Sequence, residues 1–390
     1  MDDVRKVILS DPLVSRVFGS GVTAFVVGGY VRDILRGVVS RDIDFVVVGD
    51  PRRVVPRIFP EGNSIIAFRE NLLVRVVAGN TTADFSELRG DIRDDLLRRD
   101  FTVNAIGWSP GTGLVDPVKG VSDIVRGRLR GLSEKNFVND PLRLLRAYRL
   151  SAELGWSVER KTKTIIKDLR HLMVMPAPER ITLEFHKLLN AEGYLKALKL
   201  AWVHGILDNI ISINSCRLSD NIKALSRLTA FFKDIPEEWR SELHKAFSQG
   251  LSFGGMVRAE RLLHGADLRR TRMRLSRAIV KRLTVSSRFL DLYEEKGELN
   301  DRAIFDLFSL AGDSVIDFAL LTGKMRLLRK AAGFLQLHPL LAAEEVMEIS
   351  GLVAGPKLGR VLRTLKKMQF LGKIRDEREA REWLIHGDPL

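Results

Sequence analysis

The rhythm of hydrophobic and polar positions changes once along this 390-residue chain. Up to about residue 130 the apolar positions come in short β-rich runs separated by turns. "AFVVGG" (24–29) predicts a strand, "YVRDILRG" (30–37) a helix closed by Gly37, and "DIDFVVVGD" (42–50) a second strand. "SIIAF" and "LLVRVV" form a hairpin pattern, and "TTADFSEL" predicts one more strand. Together they predict a small mixed sheet with few helices. From about residue 131 the spacing becomes helical, as in "EKNFVNDPLRLLRAYRLSAELG", "ERKTKTIIKDLRHLM" and "APERITLEFHKLLNAEG", and it stays helical to the end. An α+β head therefore gives way to an all-helical remainder between residues 128 and 135. A softer boundary falls at "LQLHPLLAAEE" (335–345), where a proline precedes a fresh helical segment.

Charge narrows the partners. A net charge of +14 favours a polyanion, either nucleic acid or an anionic surface. No run approaches the roughly 18–20 apolar residues of a spanning helix. The start, "MDDVRKVILSDPLV", is acidic and lacks the apolar core of a signal peptide. Cys216 is the single cysteine, so neither an internal disulfide nor a cysteine-rich zinc site is available. A cytoplasmic protein that handles nucleic acid, with no membrane partner, is the expectation.

Four stretches carry candidate chemistry. "GGYVRD" (28–33) follows a strand and opens a helix. Its adjacent glycines allow close backbone approach to a phosphate at a helix start, with Arg32 as a charged contact. In "RDIDFVVV", Asp42 and Asp44 stand two apart on a strand and share a face. Two like charges so close are costly without a cation between them, and Mg²⁺ takes such hard oxygen ligands. Asp84 in "TADF" is a candidate third carboxylate on a neighbouring strand. "RRDFTVNA" (98–105) combines basic residues, an acid at a helix start and an asparagine placed to fix a sugar or backbone group, although spacing alone names no role for it. Finally, "DPLRLLRAYR" (140–149) predicts a helix that opens Asp-Pro and repeats arginine at Arg143, Arg146 and Arg149.

These motifs, followed by "LVDPVKG" and "PERITLEFHKLL", stand in the order seen in the class II tRNA nucleotidyltransferase and poly(A) polymerase family. The sequence resembles a bacterial member of that family densely over residues 24–190. The similarity resumes at "LVAGPKLGRVLRTLKKMQFLGKI" (352–374), while residues 200–335 match in helical texture alone. The resemblance implies a polymerase-β-type nucleotidyltransferase head (1–130), a helical neck that recognises the base (131–200), an RNA-binding body (201–335) and a tRNA-binding tail (336–390). It also implies template-independent addition of CCA to the 3′ end of tRNA from CTP and ATP with Mg²⁺. Asp42 and Asp44 become the catalytic, metal-binding carboxylates, and Gly29, Arg32 and Arg99 become nucleotide contacts.

In the resemblance, the helix at 140–149 templates the incoming base. Cytosine and adenine each offer an amino donor beside a ring acceptor; uracil and guanine offer the reverse. A carboxylate at Asp140 and a guanidinium at Arg143 would accept the first pair and reject the second. The two are three apart and adjacent on a helix surface. Each further step of three turns about 300°, so the stripe winds back about 60° per step. Arg146 and Arg149 are therefore assigned to phosphate, or to buttressing the head–neck junction. The family often carries glutamate before the aspartate. Here Asn139 stands there and lacks the charge that would orient a neighbouring arginine.

Arg269, Arg270, Arg272, Arg274, Arg277, Lys281 and Arg282 concentrate the body's positive charge, which suits an RNA backbone. In the tail, Leu358, Val361, Leu362, Leu365 and Met368 predict a core face, with Lys357, Arg360, Arg363, Lys366 and Lys367 outside it. Rival expectations are a partial enzyme adding CC or A alone, a poly(A) polymerase, and a non-catalytic RNA-binding module of the same fold. The short link between "TTADFSELRG" and "DDLLRRDF" speaks for CC addition, because complete relatives often carry a longer loop there.

Overall fold

The computed structural model describes residues 2–59, 64–68, 73–297 and 299–386. It divides into two compact units, Met1–Ile210 and Ile211–Leu390.

The first unit begins with α1 (Asp2–Ser10) and α2 (Pro12–Gly19), followed by β1 (Ala24–Val27), α3 (Gly29–Leu35), β2 (Asp42–Val47) and α4 (Pro51–Ile58). The predicted hairpin is β3 (Ser64–Phe68) with β4 (Leu73–Ala78), paired antiparallel; its connection, including Leu72, lies outside the described residues. Then come β5 (Thr81–Glu87), α5 (Ile92–Leu97), β6 (Gly107–Ser109), β7 (Gly113–Val115) and α6 (Gly120–Val125). The seven strands form one mixed sheet in the order β3-β4-β5-β2-β1-β6-β7. All its neighbours are antiparallel except β2 and β5, which run parallel with Asp44 opposite Asp84 and Phe45 opposite Phe85. Alternation then divides labour between the faces: the phenylalanine rings stack 4.8 Å apart in the core while both acids turn the other way.

The helical part of this unit holds β8 (Arg128–Leu129), α7 (Glu134–Asn139), α8 (Leu142–Leu154), β9 (Ser157–Val158), α9 (Arg160–Leu169), α10 (Pro178–Asn190) and α11 (Tyr194–Val203). It is not purely helical, because β8 and β9 pair as a two-residue parallel ribbon too short to leave a periodic signal. Helix α8 buries Leu144, Leu145, Ala147 and Tyr148, whose hydroxyl lies 2.6 Å from His204 Nδ1. Gly155 ends α8 in the left-handed region at φ +71°, where a glycine has no Cβ to clash.

The predicted start of that helix is displaced. Asp140 does not open α8; it closes α7 at φ −141°, ψ 89°, and Pro141 separates the two helices. Proline lacks the N–H a continuous helix needs and pushes its predecessor out of the helical region.

The second unit contains α12 (Ser215–Asp234), α13 (Glu237–Glu242), β10 (Ala246–Ser248), β11 (Leu251–Ser252), α14 (Phe253–Leu262), α15 (Arg277–Lys296), α16 (Asp301–Ala311), α17 (Val315–Thr322), α18 (Met325–Leu335), α19 (Ala343–Ser350), α20 (Pro356–Phe370) and α21 (Glu377–His386). The β10–β11 hairpin again interrupts the expected all-helical run. The predicted tail face is present: Leu358 and Val361 are buried with Leu341, Val346 and Leu384, and Leu362, Leu365 and Met368 pack against them. One member of the basic cluster turns inward instead of toward solvent. Arg282 is 13% exposed and pairs with the buried Asp317 at 2.7 Å. Among the described residues no helix is long and apolar enough to cross a membrane.

Candidate active site

The two-residue period of β2 exposes Asp42 and Asp44 and buries Ile43 and Phe45. Parallel pairing sets Asp84 beside Asp44, and antiparallel pairing sets Arg75 of β4 across from Asp84. The Arg75 guanidinium grips that acid with two 2.7 Å bonds, from Nε and Nη2, so Asp84 is already neutralised by protein. Among the described residues Asp42 and Asp44 have no such partner. Crowding in the concave wall pushes the Asp44 carboxyl above the usual range; Arg99 and Arg146 pull it down, while Asp84 and Asp42 push it up further. Its side chain still reaches solvent, so this shift reflects a recessed wall and not full burial. Two neighbouring carboxylates with unbalanced charge are a suitable seat for a hard divalent cation that keeps its remaining positions for water or phosphate. Among the described residues no three His, Cys, Asp or Glu side chains gather as a metal-holding group.

Gly28 has φ +77°, and a Cβ there would meet Arg99 Nη1 at 2.8 Å and Asp44 Oδ2 at 3.1 Å. Glycine is required on both counts, because a side chain there would run into both Arg99 and the Asp44 carboxylate. On the next turn Arg32 forks onto Asp33 and donates from Nη1 to Asn104 Oδ1 at 2.6 Å. Asn104 Nδ2 in turn donates to Asp100 Oδ1 at 3.0 Å, and Asp100 Oδ2 lies 2.9 Å from Arg146 Nε. Burial works to raise the Asp100 carboxyl, but Arg146, the Asn104 amide and the Phe101 N–H together hold it below its ordinary value. The "RRDFTVNA" stretch thus has a structural role that spacing did not reveal. Its asparagine bridges Arg32 and Asp100, and its acid meets Arg146 of α8.

Beyond Asp100 the arginine stripe of α8 divides. Arg143 Nη1 donates to the carbonyls of Arg98, Arg99 and Asn136, at 2.9, 3.2 and 3.1 Å. Its Nε lies 3.8 Å from Asp140 Oδ2, so the predicted neighbours are adjacent even though only Arg143 is helical. Arg149 is the most committed: Nε donates to Glu184 at 2.8 Å and Nη1 to Glu153 at 2.6 Å. It holds α8 to α10, both beyond residue 130, whereas Arg146 on Asp100 is a contact that reaches back to the first 130 residues; the edge of Arg149 still meets the cleft.

Every residue singled out by the sequence for catalysis or nucleotide contact (Gly29, Arg32, Asp42, Asp44, Arg99, Asp140, Arg143, Arg146, Arg149) lines one polar cleft of about 980 Å³, together with Asp84. Other side chains hold these residues in place: Arg75 and Arg180 were not singled out by the sequence, and Asp100 and Asn104 were noted without a role. Arg75 neutralises Asp84, Asn104 and Asp100 form the relay, and Arg180 Nη2 donates to Asp140 Oδ2 at 3.0 Å. Arg180 lies in the quoted "PERITLEF", but forty positions separate it from Asp140 and no periodicity links them.

Comparison with known proteins accords with this geometry. Residues 24–130 match the poly(A) polymerase head domain, and residues 155–213 match the probable RNA and SrmB-binding site of polymerase A. An A-adding tRNA nucleotidyltransferase of Deinococcus radiodurans is 30% identical over 93% of this chain and 94% of its own. A CC-adding tRNA nucleotidyltransferase of Geobacter sulfurreducens is 29% identical over 98% and 97%, and a CCA-adding enzyme of Lactococcus lactis is 25% identical over 96% and 95%. Among solved structures, the Thermotoga maritima CCA-adding enzyme complexed with tRNA superposes with a TM-score of 0.76 over 98% of both chains at 22% identity, a likeness of fold.

Proposed function

Because the chain belongs to the class II tRNA nucleotidyltransferase family, we propose that it adds cytidine, cytidine and adenosine in full to the 3′ end of tRNA, from CTP and ATP, in the cytoplasm. The coarser activity, nucleotidyl addition at the tRNA 3′ end, is the activity of the family's named relatives of all three kinds. The observation that carries the finer reading is that Asp140 and Arg143 open into the same cleft as Asp42 and Asp44. One acceptor–donor pair suits the shared edge of cytosine and adenine, so a single site serves both nucleotides.

In this reading Asp42 and Asp44 would hold a divalent cation, Mg²⁺, which when bound supplies charge for activating the tRNA hydroxyl and releasing pyrophosphate. Arg32 and Arg99, beside the Gly28–Gly29 turn, balance triphosphate charge. Arg146 holds Asp100 and keeps the base-reading helix in register with the carboxylates. Arg149 supports α8 from behind. The head (1–130) carries the chemistry, the neck (131–200) reads the base, and the body (201–335) and tail (336–390) hold tRNA.

A second reading, addition of CC alone, is supported by the link of residues 88–91 between β5 and α5 and by the CC-adding relatives. The test uses three tRNAs, ending at the discriminator base, in C and in CC, each with Mg²⁺, CTP and ATP. Full addition extends them by three, two and one nucleotides. A CC-adding enzyme extends the first two by two and one and leaves the third unchanged.

A further inference from the structure

We propose that Arg180 is a specificity-determining positioning residue: it holds Asp140 by one carboxylate oxygen so that the other is left to receive the base. The inference rests on the base-reading role given to Asp140 and Arg143. Asp140 stands in extended backbone between two helices, where no helical turn fixes its side chain. Two guanidiniums converge on it, Arg180 Nη2 at 3.0 Å and Arg143 Nε at 3.8 Å, and both meet Oδ2. Among the described residues no hydrogen bond reaches Oδ1. Arg143 is divided in the same manner. Its Nη1 is taken by three backbone carbonyls, and Nη2 and Nε have no acceptor within hydrogen-bond distance among the described residues. One carboxylate oxygen and two guanidinium nitrogens therefore remain, the acceptor and donors that cytosine and adenine need.

This arrangement accounts for Asn139. Backbone carbonyls orient Arg143 without a neighbouring glutamate, and Arg180 of α10 pairs with Asp140. Arg180 also stands where helix physics does not want it. It is the third residue of α10, and a cation in a first turn opposes the helix dipole. Its side chain is 53% exposed, and an exposed ion pair contributes little to folding. Removing it should therefore disturb recognition and spare stability.

The experiment compares the full-length wild type with Arg180→Ala and Arg180→Lys. It measures single-nucleotide incorporation of CTP, ATP, UTP and GTP into tRNA lacking its 3′ end, and equilibrium binding of CTP and UTP without tRNA. Arg180→Ala should lower C-over-U discrimination at least about tenfold, through a higher KM for CTP with a smaller change in kcat, at an unchanged melting temperature. Arg180→Lys, which restores one charged donor, should recover part of the loss. Discrimination within about twofold of wild type, or an equal loss of kcat for all four nucleotides, would overturn the assignment. If the wild type extends no tRNA, the functional reading falls by itself; the positioning role is then decided by whether Arg180→Ala erases a preference for binding CTP over UTP.

Discussion

Arg146 Nε lies 2.9 Å from Asp100 Oδ2, tying α8 to the turn that also holds Arg32 through Asn104. Asp100 is 7% exposed in its side chain, and Arg146 is 41% exposed. Replacing Arg146 by alanine leaves a buried acid without its guanidinium. The expected loss is about 1–3 kcal/mol, below the range for a fully buried pair because water already screens Arg146. The folded-state pKa of Asp100 is depressed, so the pair's contribution is present above the unfolded carboxylate pKa of about 4 and is lost as pH falls through the folded value. Wild type and Arg146→Ala should thus differ at pH 7 and converge in acid, as read by denaturant melts at several pH values.

Arg149 should behave as a stabilising residue first. It and Glu184 are each 10% exposed and 2.8 Å apart. Arg149→Ala strands Glu184 and should cost about 3–5 kcal/mol. The double replacement Arg149→Met with Glu184→Leu removes both charges and should recover most of that loss, measured by chemical denaturation. A double variant no more stable than the single one contradicts the buttress.

Asp44→Asn keeps the shape of the side chain and removes charge from a crowded wall where neutralisation is already favoured. Extension of tRNA should fall at least about 100-fold, and no amount of added Mg²⁺ should restore it. Thermal melts should show an unchanged or higher Tm. A lower Tm would mean that Asp44 contributes to the fold.

Glu260 and Asp317 are 1% and 0% exposed, and Arg282 is the cation that pairs with Asp317. Burial raises both carboxyls, Glu260 well above its ordinary value, with Asp317 as its next largest cause. The folded state therefore binds protons more tightly than the unfolded one. Its stability is greatest below about pH 4 for these groups and falls as pH rises through their raised values. Glu260→Gln removes this penalty, so it should raise the Tm of the full chain by a few degrees at pH 8 and leave it unchanged at pH 5.

Much of the site was legible because its signals are local. The acids of β2 follow a period of two, the Gly-Gly turn follows a strand, and the arginines follow a helical repeat. What lay beyond the sequence was the identity of their partners. Asp100, Glu184 and Arg180 stand about forty positions from the side chains they meet, and tertiary packing leaves no periodic trace. The displaced helix start has another cause: apolar spacing runs smoothly across 134–154, while Pro141 breaks the backbone beneath it. The short ribbons β8–β9 and β10–β11 are too brief for alternation to register. Arg282 looked like its basic neighbours because charge alone does not show which face of a helix is buried.

One cleft is lined by the Asp42–Asp44 pair and by Asp140 and Arg143, which are proposed to read C and A. The decisive measurement offers each of the four nucleoside triphosphates, with Mg²⁺, to tRNA lacking its 3′ end, using wild type and Asp42→Ala side by side. Wild type should incorporate cytidine, then adenosine once the preceding cytidines are in place, with little uridine or guanosine, and Asp42→Ala should incorporate none. Incorporation of all four at similar rates, or full incorporation by Asp42→Ala, would contradict that assignment.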